Sequence, residues 1–186
     1  DGEDIGHWPV RRRREAGIGY VPEDRHRRGL LLDAPLWENA MLGHQTMAPF
    51  ARGPFLDRSG ARSATTRIVE HFDVRTPGID TSARALSGGN QQKLVIGREM
   101  AASPRLLVAA HPTRGIDVGA QASVWADLRA ARREGLAMLL VSADLEELIG
   151  LADRLVVMLR GRVVAELDPA TTTPRILGGY MTGADE

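Results

Sequence analysis

Leu86-Ser87-Gly88-Gly89-Asn90-Gln91-Gln92-Lys93 puts a small hydroxyl residue and two glycines at the head of a run of helix formers. Ser87 suits an N-cap, its oxygen accepting from free backbone N–H groups of the first turn. Gly88 and Gly89 carry no Cβ, so another surface can approach the backbone closely. Unpaired N–H groups and the positive end of the helix dipole make such a start a site for phosphate. Taken alone, the stretch reads better as an ordinary capped helix after a flexible turn, because short motifs recur by chance. The order of the segments around it reverses that preference.

Downstream, the helix is expected to run to about Ala102 and to stop before Pro104. Leu106 to Ala110 is an uninterrupted apolar run, the pattern of a strand buried on both faces. His111-Pro112-Thr113-Arg114-Gly115-Ile116-Asp117 is the loop at its carboxyl end. Val124, Leu128 and Ala131 mark a further helix, and Ala137 to Val141 a second buried strand. Ser142 is expected to cap a helix with Leu145, Leu148, Ile149 and Ala152 on one stripe. Leu155 to Leu159 and Arg162 to Glu166 form strands joined at Arg160-Gly161, a hairpin signal. The tail, with Pro169, Pro174 and paired glycines, looks peripheral.

Upstream, Gly17 to Val21 reads as a short strand stopped by Pro22, followed by the charged loop Glu23 to Gly29. The basic run Arg11 to Arg14 reads as a solvated turn or helix face rather than a nucleic-acid contact, since no aromatics interleave with it. Pro35 to Gly43 enters a short helix, residues 45–61 look irregular, and residues 62–73 read as an amphipathic helix. Strand alternating with helix in the second half argues for an α/β domain with a parallel sheet; residues 33–85 lack that alternation and look like a helical insertion.

Bulk properties narrow the partners. The 186 residues suffice for one good core or a core with a small subdomain, and a 43% hydrophobic content fits a folded chain. Lysine plus arginine and aspartate plus glutamate are 24 each, so no global charge points to nucleic acid. Without cysteine there is neither a disulfide nor a cysteine-ligated zinc site. No apolar run is long enough to cross a bilayer, so service to a membrane would come from its aqueous side.

At this point the ordering resembles the nucleotide-binding domain of an ABC transporter. Tyr20-Val21-Pro22-Glu23-Asp24-Arg25, the stretch Leu86 to Lys93, Leu106 to Asp117 and the strand ending at Ser142 occur in that family's order. Their combination resembles the C-terminal half of the double-domain ATPases that drive simple-sugar and nucleoside importers. The resemblance implies a partial P-loop NTPase (RecA-like) core with a mostly parallel sheet and an α-helical subdomain. It divides the chain into core at 1–32, helical subdomain at 33–104 and core again at 105–186.

In that family ATP with magnesium lies between two nucleotide-binding domains. The resemblance therefore implies that Ser87, Gly88, Gly89 and Asn90 face the nucleotide held by the partner domain. Glu23 stands at the place of the loop glutamine, and Asp117 matches the family at the loop between domains, with an N-cap before Val118 as its other reading. The chain also departs from the pattern. A P-loop needs lysine after glycine and before serine or threonine; the only lysine, Lys93, follows glutamine, and the missing loop is expected upstream of Asp1. Ala110 and His111 occupy the places of the magnesium-supporting aspartate and the water-polarising glutamate, and Ala143 that of the switch histidine. No catalytic set is intact and no metal site is expected.

The expectation is thus a part of an importer ATPase, peripheral on the cytoplasmic face, partnered by another nucleotide-binding domain, permease subunits and, indirectly, a substrate-binding protein. Alone it should hydrolyse no ATP. Other readings are an ABC ATPase of translation or DNA repair, against which the Pro-Glu-Asp-Arg and Pro-Thr-Arg-Gly stretches speak, and a non-catalytic interaction fragment.

Overall fold

A computed structural model describes residues 2–183. The chain divides into two compact units, Asp1–Leu139 and Leu140–Glu186.

The first unit holds α1 (Val10–Glu15), β1 (Ile18–Val21), a π-helical turn at Arg25–Gly29, α2 (Leu36–Ala40), a minimal hairpin of β2 (Ala51–Arg52) and β3 (Phe55–Leu56), α3 (Arg58–His71), α4 (Gly88–Ala101), β4 (Leu106–Ala110) and α5 (Val118–Arg133). It ends within β5 (Ala137–Val141). The strand order is β1-β4-β5, and β1 runs parallel to β4 with Ile18 opposite Leu106 and Val21 opposite Ala109. A parallel pair needs a long crossover; here it contains α2, α3 and α4. Pairing β1 with β4 brings together the loops that leave their carboxyl ends, where Arg25 meets Arg114 from 89 residues away in sequence, and so builds the site described below.

Expectation and structure part over burial. In β4 only Leu107 and Ala109 are fully covered. In β5 Leu139 is 55% and Val141 49% exposed. An apolar run specifies extended chain, but the number of layers laid over it is decided elsewhere. The hairpin β2–β3 and an early start of α3 replace the irregular stretch expected at 45–61. Asp57 brings that start forward, its Oδ1 accepting from Gly60 N at 2.8 Å. Behind it Phe50, Ala61 and Ala64 cluster with Trp37 and Met41.

α4 is buried almost all round, from Gln91 to Glu99. A helix enclosed on every side shows no amphipathic stripe, and its polar residues must find partners within the protein. Lys93 Nζ donates to Asp73 O and Oδ2, both at 3.2 Å. Glu99 accepts from Arg14 Nη1 (2.7 Å), Arg98 Nε (3.0 Å) and the Tyr20 N–H (3.1 Å). Burial alone would raise the Glu99 pKa; the His44 imidazole and the charges of Arg98 and Arg14 outweigh it and hold it at about 2. The basic run is therefore helical and only partly a solvated face, because Arg14 turns inward to a buried carboxylate.

The second unit holds α6 (Leu145–Leu151), the antiparallel pair β6 (Leu155–Leu159) and β7 (Arg162–Leu167), and α7 (Pro174–Thr182). Asp144, not Ser142, caps α6: its carboxylate accepts from Glu146 N and Glu147 N at 3.0 Å, and Ser142 Oγ accepts from Asp144 N. Arg160 and Gly161 both take positive φ, 49° and 77°, which suits a tight hairpin turn. The tail expected to be peripheral forms α7, whose Leu177 is 1% exposed in a core with Leu155 and Val157.

Candidate functional site

The start of α4 is open at its tip and closely packed at its sides. Ser87 is the N-cap, exposed, with Oγ accepting from Asn90 N at 3.4 Å and from Asn90 Nδ2 at 2.9 Å. Helix geometry leaves the Gly88 and Gly89 N–H groups without intrahelical acceptors. A Cβ built on Gly88 would lie 2.7 Å from Arg25 Nη2 and 3.2 Å from Gly115 O; one on Gly89 would lie 2.6 Å from the Ala120 Cβ. The glycines thus admit this chain's own loop and α5, a closer reason for them than an incoming molecule.

Arg25 joins three segments. Its Nη1 donates to Arg114 O at 2.8 Å, its Nη2 to Gly115 O at 3.1 Å and its Nε to Gln91 Oε1 at 3.4 Å. Gln91 Oε1 also lies 2.8 Å from His26 Nε2, and its amide donates to Ala83 O at 3.0 Å. The loop after β1, the loop after β4 and the start of α4 are therefore tied through one guanidinium. The Arg114 side chain closes a second tie onto the Glu23 carboxylate. In the sequence Arg25 and Arg114 figured only as members of the Pro-Glu-Asp-Arg and Pro-Thr-Arg-Gly stretches, with no role of their own. The only signal was opposite charge at Glu23 and Arg114, 91 residues apart, and it becomes readable once β1 is paired with β4.

Asp117 caps α5, Oδ1 accepting from Ala120 N at 2.9 Å, and that bond first of all holds its carboxyl below the usual range. Its Oδ2 sits 3.5 Å from the position of a Gly89 Cβ, so the start of α5 adjoins the start of α4. Glu23, Gly88, Gly89 and Asp117 are thus brought together in the first unit. At the end of β4, Ala110 offers no ligand atom, and His111 takes a positive φ of 48°, uncommon for a residue with a side chain. Ala143 lies exposed in the second unit between Ser142 and Asp144. The residues at the carboxyl ends of β1 and β4 do not fit magnesium: Ala110 cannot ligate, the Glu23 carboxylate is held by Arg114, and no cluster of three or more metal-ligating side chains occurs among the described residues.

The fold is that of an ATP-binding cassette. A solved dimeric cassette in a post-hydrolysis state with ADP and phosphate superposes with a TM-score of 0.70 at 20% identity, over 90% of this chain and 68% of that one. A cassette of an ABC transporter in its ADP conformation gives 0.67 at 19%, over 95% and 68%. In sequence the chain is similar to the guanosine import ATP-binding protein NupO of Bacillus subtilis, 43% identical over the whole chain and 36% of that protein. It is 41% identical to the nucleoside import ATP-binding protein NupA of Lactococcus lactis, over 98% of the chain and 36% of that protein. With the ribose import ATP-binding protein RbsA 1 of Streptomyces avermitilis it shares 46% over 84% of the chain and 30% of that protein. The chain spans about a third of the length of these relatives. No family model matches it.

Proposed function

We propose that this chain is part of the ATP-binding subunit of an importer for nucleosides or simple sugars, and that it completes an ATP site on a partner nucleotide-binding domain. The observation that carries the reading is an asymmetry within one unit. Ser87 caps the start of α4 and is exposed, while the end of β4 carries Ala110 and His111 and the nearby Glu23 is occupied by Arg114. Ser87 and the N–H groups of Gly88 and Gly89 would meet the phosphate oxygens of ATP bound, with magnesium, to the partner. Preorganised donors of this kind stabilise charge that develops in transit.

In this reading residues 1–32 and 105–186 belong to the ATPase core and 33–104 to the helical subdomain that passes motion to permease subunits. The chain corresponds to the C-terminal cassette without its P-loop and hydrolyses no ATP by itself. It works at the cytoplasmic face of the membrane; none of its described helices is long and apolar enough to span one. The import names of the relatives favour transport over translation or repair.

The test uses the full-length protein whose reading frame contains this chain. Ser87→Ala should lower ATP turnover about 100-fold or more, the scale for loss of one preorganised donor. Introducing Ala110→Asp with His111→Glu should leave the competent site's turnover within about twofold. Undiminished turnover in Ser87→Ala would end the proposal.

A further inference from the structure

At the open end of α4 the Asn90 side chain is hydrogen-bonded inside the chain at both its amide oxygen and its amide nitrogen. Its Oδ1 accepts from the Arg75 backbone N–H at 2.8 Å. A backbone N–H can only donate, so this bond fixes which end of the amide is oxygen, and Nδ2 is left facing Ser87 Oγ at 2.9 Å. The Asn90 backbone N–H points to the same oxygen from 3.4 Å. A serine hydroxyl has two lone-pair positions and one proton. Both lone-pair positions are taken by donors from a single residue, three places along the helix. Only the proton remains to be spent, and Ser87 is exposed.

We propose that Asn90 is a positioning residue that sets the polarity of Ser87: it holds the hydroxyl as an outward hydrogen-bond donor, matched to an anionic phosphate oxygen, and does not itself contact the nucleotide. The inference rests on the reading of Ser87 as a donor to the partner's ATP. Anchoring to Arg75 adds a consequence. The segment between α3 and α4 supports the same amide, so the serine's orientation depends on a backbone group 12 residues upstream of it.

The decisive substitution is Asn90→Asp. The carboxylate is nearly isosteric and can still accept from the Arg75 N–H, but it cannot donate to Ser87 Oγ. It accepts from the serine instead and turns the proton inward. Asn90→Ala removes the donor without reversing the hydroxyl, and serves as the second variant should the aspartate lower the melting temperature. In the full-length protein, kcat and the ATP Kd are measured for Ser87→Ala, Asn90→Asp, Asn90→Ala and the Ser87→Ala/Asn90→Asp double variant. Reading Kd as well as kcat keeps the comparison visible if turnover becomes very slow.

Asn90→Asp is expected to match Ser87→Ala within about threefold, at about 100-fold below the parent in kcat. Asn90→Ala should lose about tenfold. In the Ser87→Ala background, Asn90→Asp should change neither constant by more than about twofold, since groups acting through one another are not additive. Additive losses in the double variant would make Asn90 a separate contact and overturn the inference. So would near-parental kcat in Asn90→Asp when Ser87→Ala is impaired, an outcome that leaves the donor reading of Ser87 standing. Parental kcat in Ser87→Ala itself would overturn both.

Discussion

The two ends of α4 solve opposite problems. At the carboxyl end, Arg98 donates to Gly29 O and Asn39 O, and Glu99 is encircled by Arg14, Arg98 and the Tyr20 N–H. Both charges are almost wholly removed from solvent and hydrogen-bonded inside the chain. At the amino end, Asn90 fills the acceptor positions of Ser87 and leaves its proton, and helix geometry leaves the Gly88 and Gly89 N–H groups without intrahelical acceptors. One helix thus carries a buried polar cluster that ties it to α1 and β1 and, at its start, an exposed hydroxyl whose proton is unspent. What separates the two ends is solvent access together with the unspent serine proton.

The comparison breaks most readily at the buried end. Glu99→Ala strands Arg14 and Arg98 without their carboxylate, and should cost about 3–5 kcal/mol in urea denaturation of the chain. A loss below about 1 kcal/mol would mean that the cluster is not what binds α1 and β1 to α4. Acid should reproduce a large part of that loss. The Glu99 pKa lies at about 2 in place of 4.5, so its contribution is complete above about pH 4.5 and disappears as pH falls towards 2. By the usual conversion this amounts to roughly 3 kcal/mol. Melting curves from pH 5 to pH 2 should slope downward for the parent more steeply than for Glu99→Gln, and parallel slopes would contradict the assignment.

At the open end the effects on stability should be smaller. Gly89→Ala places a Cβ 2.6 Å from that of Ala120 and should cost about 1–3 kcal/mol through overpacking. Adding Ala120→Gly should recover part of the loss; no recovery would move the clash elsewhere. Ser87→Ala gives up only a long N-cap bond of 3.4 Å and should cost about 1 kcal/mol or less. The comparison is sharpest when this least damaging stability change is the most damaging to turnover in the full-length protein.

Much of the architecture was legible because it is written in local chemistry. The apolar run at 106–110, the helix after Gly88 and the hairpin turn at Arg160-Gly161 each carry their own pattern. So does the order of the segments, which pointed to the cassette fold. The exposure of β5 was not legible, since Ala137 to Val141 is apolar whichever side is covered. α7 was passed over although Thr173 before Pro174 is a helix start and Ile176, Leu177, Tyr180 and Met181 share a face; two glycines inside it masked the pattern. The site was half legible. Ser87, Gly88, Gly89 and Asp117 were assigned to a site only through the resemblance to ABC nucleotide-binding domains, and the clamp of Arg25 and the Glu23–Arg114 tie depend on strand pairing that no local window contains.

β5 lies last in the order β1-β4-β5, with Leu139 and Val141 about half exposed. A terminal strand that is short of charge and rich in branched aliphatic side chains is a template for edge-to-edge growth. In concentrated solution this polypeptide should therefore self-associate through Ala137 to Val141, and a lysine in place of Val141 should delay the rise in light scattering.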